Sequence, residues 1–146
     1  MQRTVLRSTV AGVGLAALLS FAPAAFAEVQ NYTATLNPQA EVPPNNSGGS
    51  GTLGATYDTA TRKLTYSVTY DKLSGPATAA HFHGPAAAGA NAGVVVPAAD
   101  ASKSPIKGEA TLTPAQATDL QAGKWYFNIH TAANKGGEIR GQVTKK

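Results

Sequence analysis

The sequence contains no cysteine, and only 14% of its 146 residues are charged. Without cysteine there is no disulfide, no thiolate metal site, no cysteine nucleophile and no lipid attached to an N-terminal cysteine. The chain also lacks a glycine-rich phosphate loop, a Gly-x-Ser-x-Gly elbow and a pair of acids placed for glycoside cleavage. These absences leave no support in the sequence for a kinase or a hydrolase.

The first 27 residues have the composition of a secretory signal peptide. Arg3 and Arg7 give a basic start, residues 10–21 are apolar or small, and Ala25-Phe26-Ala27 is a small-x-small cleavage site. We predict cleavage after this site, one domain over residues 28–146, and a periplasmic or secreted location. A retained membrane anchor is the alternative, although the apolar run is short for a spanning helix.

Removal of the signal peptide takes away two arginines and no acid, so the 12 basic and 8 acidic residues of the full chain become 10 and 8. This balance is close to neutral, and no basic stripe is visible, which argues against nucleic-acid binding. We therefore predict no nucleic-acid partner and, after cleavage, no membrane association. The sequence does not identify a protein partner.

From residue 28 onward, apolar side chains mostly recur at every second position. In the clearest run, Leu64, Tyr66 and Val68 alternate with hydroxyl residues. Such alternation is typical of a strand with one buried face. About eight short segments of this kind predict an all-β fold, an antiparallel Greek-key sandwich. These segments are 32–36, 52–57, 64–70, 77–83, 94–96, 108–112, 124–131 and 138–143.

One short helix is predicted over residues 113–122. Thr113 can cap it, Pro114 suits its first turn, Gln116 completes a capping box, and Gly123 follows as a stop signal. Three segments carry no strand pattern, and loops of this length commonly bind a ligand or move. They are residues 37–50, 84–92 and 97–105.

All three histidines of the chain fall in two of the predicted strands. His81 and His83 are two residues apart, so both side chains lie on the same face of their strand. His130 shares a face with Tyr126 and Asn128 on a later strand. If the two strands adjoin, three imidazole nitrogens can converge on one ion. Imidazole suits copper, zinc and nickel, and copper(II) binds most strongly in the divalent series.

We therefore predict one metal site formed by His81, His83 and His130, with copper as the ion and zinc as the alternative. Asn128 can orient one of these histidines through a hydrogen bond, although a plain strand asparagine is the simpler interpretation. A structural role for the histidines also stays open, in which they donate to loop carbonyls and pin residues 84–92.

Four blocks of the sequence resemble the CHRD (chordin-type) domain: AEVPP at 40–44, AAHFHGPA at 79–86, NIHTAAN at 128–134 and GGEIRG at 136–141. The resemblance extends over essentially the whole chain after the signal peptide. It implies an extracytoplasmic β-sandwich and no settled activity.

Three shorter patches are similar to Cu/Zn superoxide dismutase, which is also a β-sandwich. Residues 81–84 resemble its His-x-His copper-ligand strand, residues 129–130 its later ligand strand, and residues 136–141 its segment with the active-site arginine. The resemblance implies that Arg140 points into the site and guides small anions. Arg140 can instead pair with Glu138 or Asp119 on the surface. The chain has no fourth histidine to bridge copper and zinc, and no recognisable zinc loop.

Three functions remain open from the sequence. The first is an exported binding protein that stores, buffers or delivers copper. The second is a copper-dependent redox enzyme with superoxide dismutase-like chemistry. The third is a metal-free structural or interaction domain. The missing bridging histidine favours binding over dismutation, and the shared position of the three histidines favours a metal over pure interaction.

Overall fold

The structure is a computed structural model, and it describes residues 26–146. Nine strands form two antiparallel sheets, so the predicted all-β sandwich is confirmed. The expected signal peptide lies outside the described residues, apart from its last two. The strands are β1 (Val29–Leu36), β2 (Ser50–Asp58), β3 (Lys63–Asp71), β4 (Ala77–His83), β5 (Val94–Pro97), β6 (Ile106–Thr111), β7 (Tyr126–Thr131), β8 (Ile139–Gln142) and β9 (Thr144–Lys145).

The larger sheet has five strands in the order β6-β3-β2-β1-β9. Its inner face carries the apolar residues that the period-two pattern predicted. In β3, the side chains of Leu64, Tyr66 and Val68 are buried. Thr65 and Thr69, which alternate with them along the strand, are exposed. β6 joins the edge of this sheet beside β3 after the chain has passed through β4 and β5 of the other sheet.

The smaller sheet has four strands in the order β5-β4-β7-β8. Phe82 of β4 and Phe127 of β7 point to the core and meet edge to face, with ring centroids 4.8 Å apart. Tyr66 of the larger sheet packs on Phe82 at 5.0 Å, which joins the two sheets. Because side chains alternate along a strand, the residues on either side of these aromatics lie on the outer face of the smaller sheet.

Within residues 26–146 there is one α-helix, α1 (Pro114–Gln121), where the sequence predicted it. Thr113 accepts a hydrogen bond from the backbone N–H of Gln116, whose side chain in turn accepts from the backbone N–H of Thr113, so the capping box is present. Gly123 ends the turn with a φ of 70°, a value that suits glycine. Among residues 26–146, no helix has the length and apolar character needed to cross a membrane.

The strand boundaries differ from the prediction at several places; β1, for example, begins at Val29 rather than at residue 32. β2 begins at Ser50 rather than at residue 52, and the apolar pattern did not reveal this start because Gly51 carries no side chain. A side chain does not fit at this position, since its Cβ would lie 2.8 Å from the Thr69 carbonyl oxygen of β3. A 3₁₀ helix (Pro38–Ala40), capped by Asn37, occupies part of the predicted 37–50 loop. β7 begins at Tyr126 rather than at residue 124, and the two-residue β9 was not predicted.

Candidate metal centre

β4 and β7 are adjacent and antiparallel, as the predicted histidine site requires. His81 lies opposite Asn128, and His83 lies opposite Tyr126, while His130 lies opposite Ala79. Trp125, Phe127 and Ile129 of the β7 segment are buried in the core, so the predicted division of faces is correct. The structure therefore brings the three predicted histidines and Asn128 together on the outer face of the smaller sheet.

The three imidazoles are close enough to serve one ion. His81 Nδ1 lies 3.1 Å from His130 Nε2, and one nitrogen from each of His81, His83 and His130 lies within 4.8 Å of the others. At metal–nitrogen distances of about 2.0–2.1 Å, a separation of 3.1 Å corresponds to an angle of about 100° at the ion. Two ligands on opposite sides of an ion span only about 4.1 Å, so binding must draw the most distant ring inward.

Backbone carbonyl groups determine which nitrogen of two of the rings carries hydrogen. His83 Nδ1 lies 2.9 Å from the Ala92 carbonyl oxygen, and His130 Nδ1 lies 2.9 Å from that of Lys135. A carbonyl oxygen only accepts, so each Nδ1 is the donor and each Nε2 carries the lone pair. Metal-binding histidines are oriented in this way by a carbonyl on the other nitrogen.

The predicted structural role is therefore present in part, because His83 does hold one end of the 84–92 loop through Ala92. His130 holds a different loop, at Lys135. Neither contact uses the nitrogen that a metal needs, so the two roles are compatible in one ring.

Burial lowers the pKa of two of the rings. For His81 the main cause is burial, and the neighbouring His130 and His83 lower its pKa further. For His83 burial also dominates and lowers the pKa, although hydrogen bonds with Ala92 and Asn128 oppose it. A lowered pKa keeps an imidazole neutral, which is the form that binds a metal.

Asn128 is buried, with 2% of its surface exposed, and lies between a histidine and an acid. Its Oδ1 atom is 3.0 Å from His83 Nε2. Its side chain also lies near enough to the carboxyl group of Glu41 to lower the pKa of that group. The structure thus places Asn128 in contact with a candidate ligand, whereas a plain strand asparagine was the simpler interpretation of the sequence.

Arg140 is buried, with 2% of its surface exposed, and it is not the surface ion-pair residue of the alternative interpretation. Its guanidinium carbon lies 3.4 Å from the ring centroid of Tyr126, and that ring stacks on His83 with centroids 4.8 Å apart. The guanidinium donates to Asn91 Oδ1 at 2.8 Å and to the Ala90 carbonyl oxygen. Arg140 therefore lies next to the candidate site and holds the loop that follows β4.

Glu138, which the sequence analysis considered only as a surface partner of Arg140, is fully buried. Burial raises its pKa, but hydrogen bonds from Ser47, Ser74 and Thr131 outweigh burial and lower the pKa to about 2. These donors come from three different segments, so the carboxylate joins the loop before β2, the loop after β3 and the end of β7. Only its place in the GGEIRG block distinguished it in the sequence.

Glu41 is the other buried acid, with 4% of its surface exposed, and its Oε1 atom has no hydrogen-bond partner. Burial raises its pKa to about 7, although Arg140 and Asn128 lower it. Its carboxyl group packs against Gly137, where an added Cβ would overlap it. In the sequence Glu41 was distinguished only by its place in the AEVPP block, and no spacing linked it to the histidines.

Comparison with known proteins agrees with this description. The family model of the CHRD domain matches residues 32–143, which include all three histidines, Glu41 and Arg140. No curated protein matches the chain significantly. No solved structure does so either. Because the family model spans most of the sequence, the chain belongs to the CHRD domain family.

Proposed function

We propose that this CHRD domain works outside the cytoplasm and binds one copper ion through His81, His83 and His130. The observation that carries the proposal is the convergence of one nitrogen from each ring within 4.8 Å, on a face where two rings already have carbonyl partners on their other nitrogens. Such a set of neutral imidazoles is the donor type that copper(II) and zinc prefer.

Copper is favoured over zinc on ligand chemistry alone, because the same nitrogen donors bind copper(II) more tightly than zinc in the divalent series. A location outside the cytoplasm is supported by the signal-peptide pattern of residues 1–27. The absence of cysteine is compatible with an oxidising compartment, since no thiol of this chain can reduce copper(II) or be oxidised by it.

Storage, buffering or delivery of the ion fits the site better than superoxide chemistry. An anion-guiding arginine needs free donors directed at the open position, whereas two donors of Arg140 are engaged by Asn91 and Ala90. The chain also has no fourth histidine to bridge copper to a second metal. The hydrogen bonds of His83 and His130 to backbone carbonyls fit a metal-free structural role as well, whereas the convergence of all three rings favours a metal.

The test is a copper titration of residues 28–146, prepared metal-free, alongside His81→Ala, His83→Ala and His130→Ala. We expect one ion per chain and an affinity loss of at least about 100-fold in each variant, because each removes one of three ligands. Asn31→Leu, an exposed change on the other sheet, is the control and keeps the parent affinity. Parent affinity in all three histidine variants would instead support the structural role of the histidines.

A further inference from the structure

β6 is an edge strand of the larger sheet, and one of its two sides is uncovered. Among residues 26–146, β6 pairs with β3 alone, and no other segment makes a hydrogen bond to its backbone from the opposite side. At the other edge of the same sheet, β9 has only two residues. In the smaller sheet, Gln116 of α1 donates to the Val95 carbonyl oxygen of the edge strand β5. An uncovered edge of six residues, as in β6, can accept a further strand.

The pairing of β6 with β3 determines which backbone groups lie on the uncovered side. Just beyond the paired segment, the backbone N–H of Leu112 donates to the Arg62 carbonyl oxygen, so these two residues form a hydrogen-bonded pair. Hydrogen-bonded and non-hydrogen-bonded pairs alternate along antiparallel strands, so residues 106, 108 and 110 also bond to β3. The N–H and C=O groups of Lys107 and Glu109, which lie between them, therefore point away from the sheet.

The side chains of these same two residues carry opposite charges. Lys107 and Glu109 are both exposed, and because they are two residues apart they lie on the same face of β6. When two copies of a chain meet about a two-fold axis, each residue of one copy contacts its counterpart's partner on the other. With the axis at Gly108, Lys107 of each copy lies opposite Glu109 of the other. The edge is therefore complementary in charge to a second copy of itself.

The charges also select this register over its neighbours. With the axis at Gly108, each Lys107–Glu109 contact is a hydrogen-bonded pair, in which the two residues exchange both N–H···O=C bonds. An axis at Lys107 or at Glu109 would place like charges directly opposite each other, which is destabilising. Glu109 already lies 2.6 Å from Lys63 of its own chain. In the favoured register, this carboxylate would therefore lie between two ammonium groups.

We propose that two copies of this domain associate through β6, paired antiparallel about a two-fold axis at Gly108, so that the larger sheets of the two copies become continuous. The contact is short, so the dimer is weak, with a dissociation constant on the order of 10–100 µM. The association does not depend on the proposed metal, because β6 and the histidines lie in different sheets.

Sedimentation equilibrium of residues 28–146 tests the association, with a chelator present so that no metal can bridge two copies. Between about 5 µM and about 1 mM, we expect the mass to rise from that of one chain toward that of two. Lys107→Glu and Glu109→Lys each place like charges at both contacts, so each should weaken the dimer at least about tenfold. Lys124→Glu makes the same charge change at an exposed position outside β6 and should keep the parent affinity.

An equimolar mixture of Lys107→Glu and Glu109→Lys tests the register. Opposite charges then meet at both contacts of a mixed dimer, so we expect mixed dimers of about parent affinity where each variant alone is monomeric. A parent protein that stays monomeric at about 1 mM contradicts the proposal. Parent affinity in both single variants would place the contact on another surface, and a mixture without mixed dimers would overturn the pairing of Lys107 with Glu109.

Discussion

His81 Nδ1 lies 3.1 Å from His130 Nε2, although the two residues are 49 positions apart in the chain. Since His130 donates through its other nitrogen to Lys135, the contact holds a single hydrogen, supplied by His81, or an ion. The same distance thus suits a hydrogen bond in the metal-free protein and two ligands of one metal. Because the two residues lie on neighbouring strands, a metal ion can replace the shared hydrogen without a movement of the backbone.

Copper affinity should persist to a lower pH than ordinary histidines allow. Three rings with a pKa of about 6.5 would lose about 50-fold in affinity between pH 7.5 and pH 6, because all three must be neutral. Burial lowers the pKa of His81 and His83, so we expect a smaller loss of affinity over this range. Copper titrations at pH 5, 6, 7.5 and 8 measure this change in affinity. A loss of 50-fold or more between pH 7.5 and pH 6 contradicts the prediction.

Glu138 should stabilise the fold at neutral pH and lose this effect in acid. Its pKa falls from 4.5 to about 2 in the folded protein, so its contribution is complete above pH 4.5 and disappears as the pH drops toward 2. The shift corresponds to at most about 3 kcal/mol. Glu138→Gln should lower the free energy of unfolding by about this amount at pH 7 and have little effect near pH 2, as measured by urea denaturation.

A matched control for Glu138 is Glu109→Gln. Glu109 pairs with Lys63 at 2.6 Å, but both side chains are about half exposed. Exposed pairs of this kind contribute about 0–1 kcal/mol. An equal effect of the two glutamine variants at pH 7 would show that burial and the Ser47, Ser74 and Thr131 hydrogen bonds do not distinguish Glu138.

Glu41 should have the opposite effect on stability. Its pKa is raised from 4.5 to about 7 in the folded protein, so its contribution is complete below pH 4.5 and is lost as the pH rises through 7. The metal-free domain should therefore lose up to about 3 kcal/mol of unfolding free energy between pH 4.5 and pH 8 from this group. Urea denaturation of Glu41→Gln at the two pH values should show a smaller decline, and an unchanged decline contradicts the prediction.

Two glycines of the larger sheet should respond differently to alanine. A Cβ on Gly108 of β6 would overlap the ring and hydroxyl of Tyr66, whereas a Cβ on Gly54 of β2 meets nothing within 4 Å. Tyr66 is buried against Phe82, so it cannot move without disturbing the core. We expect Gly108→Ala to lower the unfolding free energy by about 1–3 kcal/mol and Gly54→Ala to leave it unchanged or raise it slightly. Thermal and urea unfolding compare the two, and equal effects contradict the prediction.

The sequence predicted those features that depend on residues near one another in the chain. Alternation of apolar and hydroxyl residues identified most strands, and the spacing of His81 and His83 placed both rings on one face. The capping residues around Thr113 located the helix to within a residue. Each of these signals is local, because a period or a cap is complete within one element.

The features that the sequence did not predict depend on distant segments. Glu138 receives its hydrogen bonds from residues 91, 64 and 7 positions away, and no spacing rule connects these positions. Glu41 is buried because its carboxyl group packs against Gly137, in the loop that joins β7 to β8 and far from Glu41 in the sequence. His83 and His130 are oriented by the backbone carbonyl groups of Ala92 and Lys135. Every residue has such a carbonyl group, so the residue types at positions 92 and 135 could not predict these hydrogen bonds.

Because β4 and β7 are adjacent, the proposed ion would also act as a crosslink between the two strands. In a chain without cysteine, a metal held by His81 and His130 would link two residues 49 positions apart on neighbouring strands, as a disulfide links distant segments in secreted domains. Unlike a disulfide, this crosslink would open with acid or a chelator and would be indifferent to thiols. The pairing of β4 with β7 would thus be stabilised only while the ion is bound, and release of the ion would make the smaller sheet less stable.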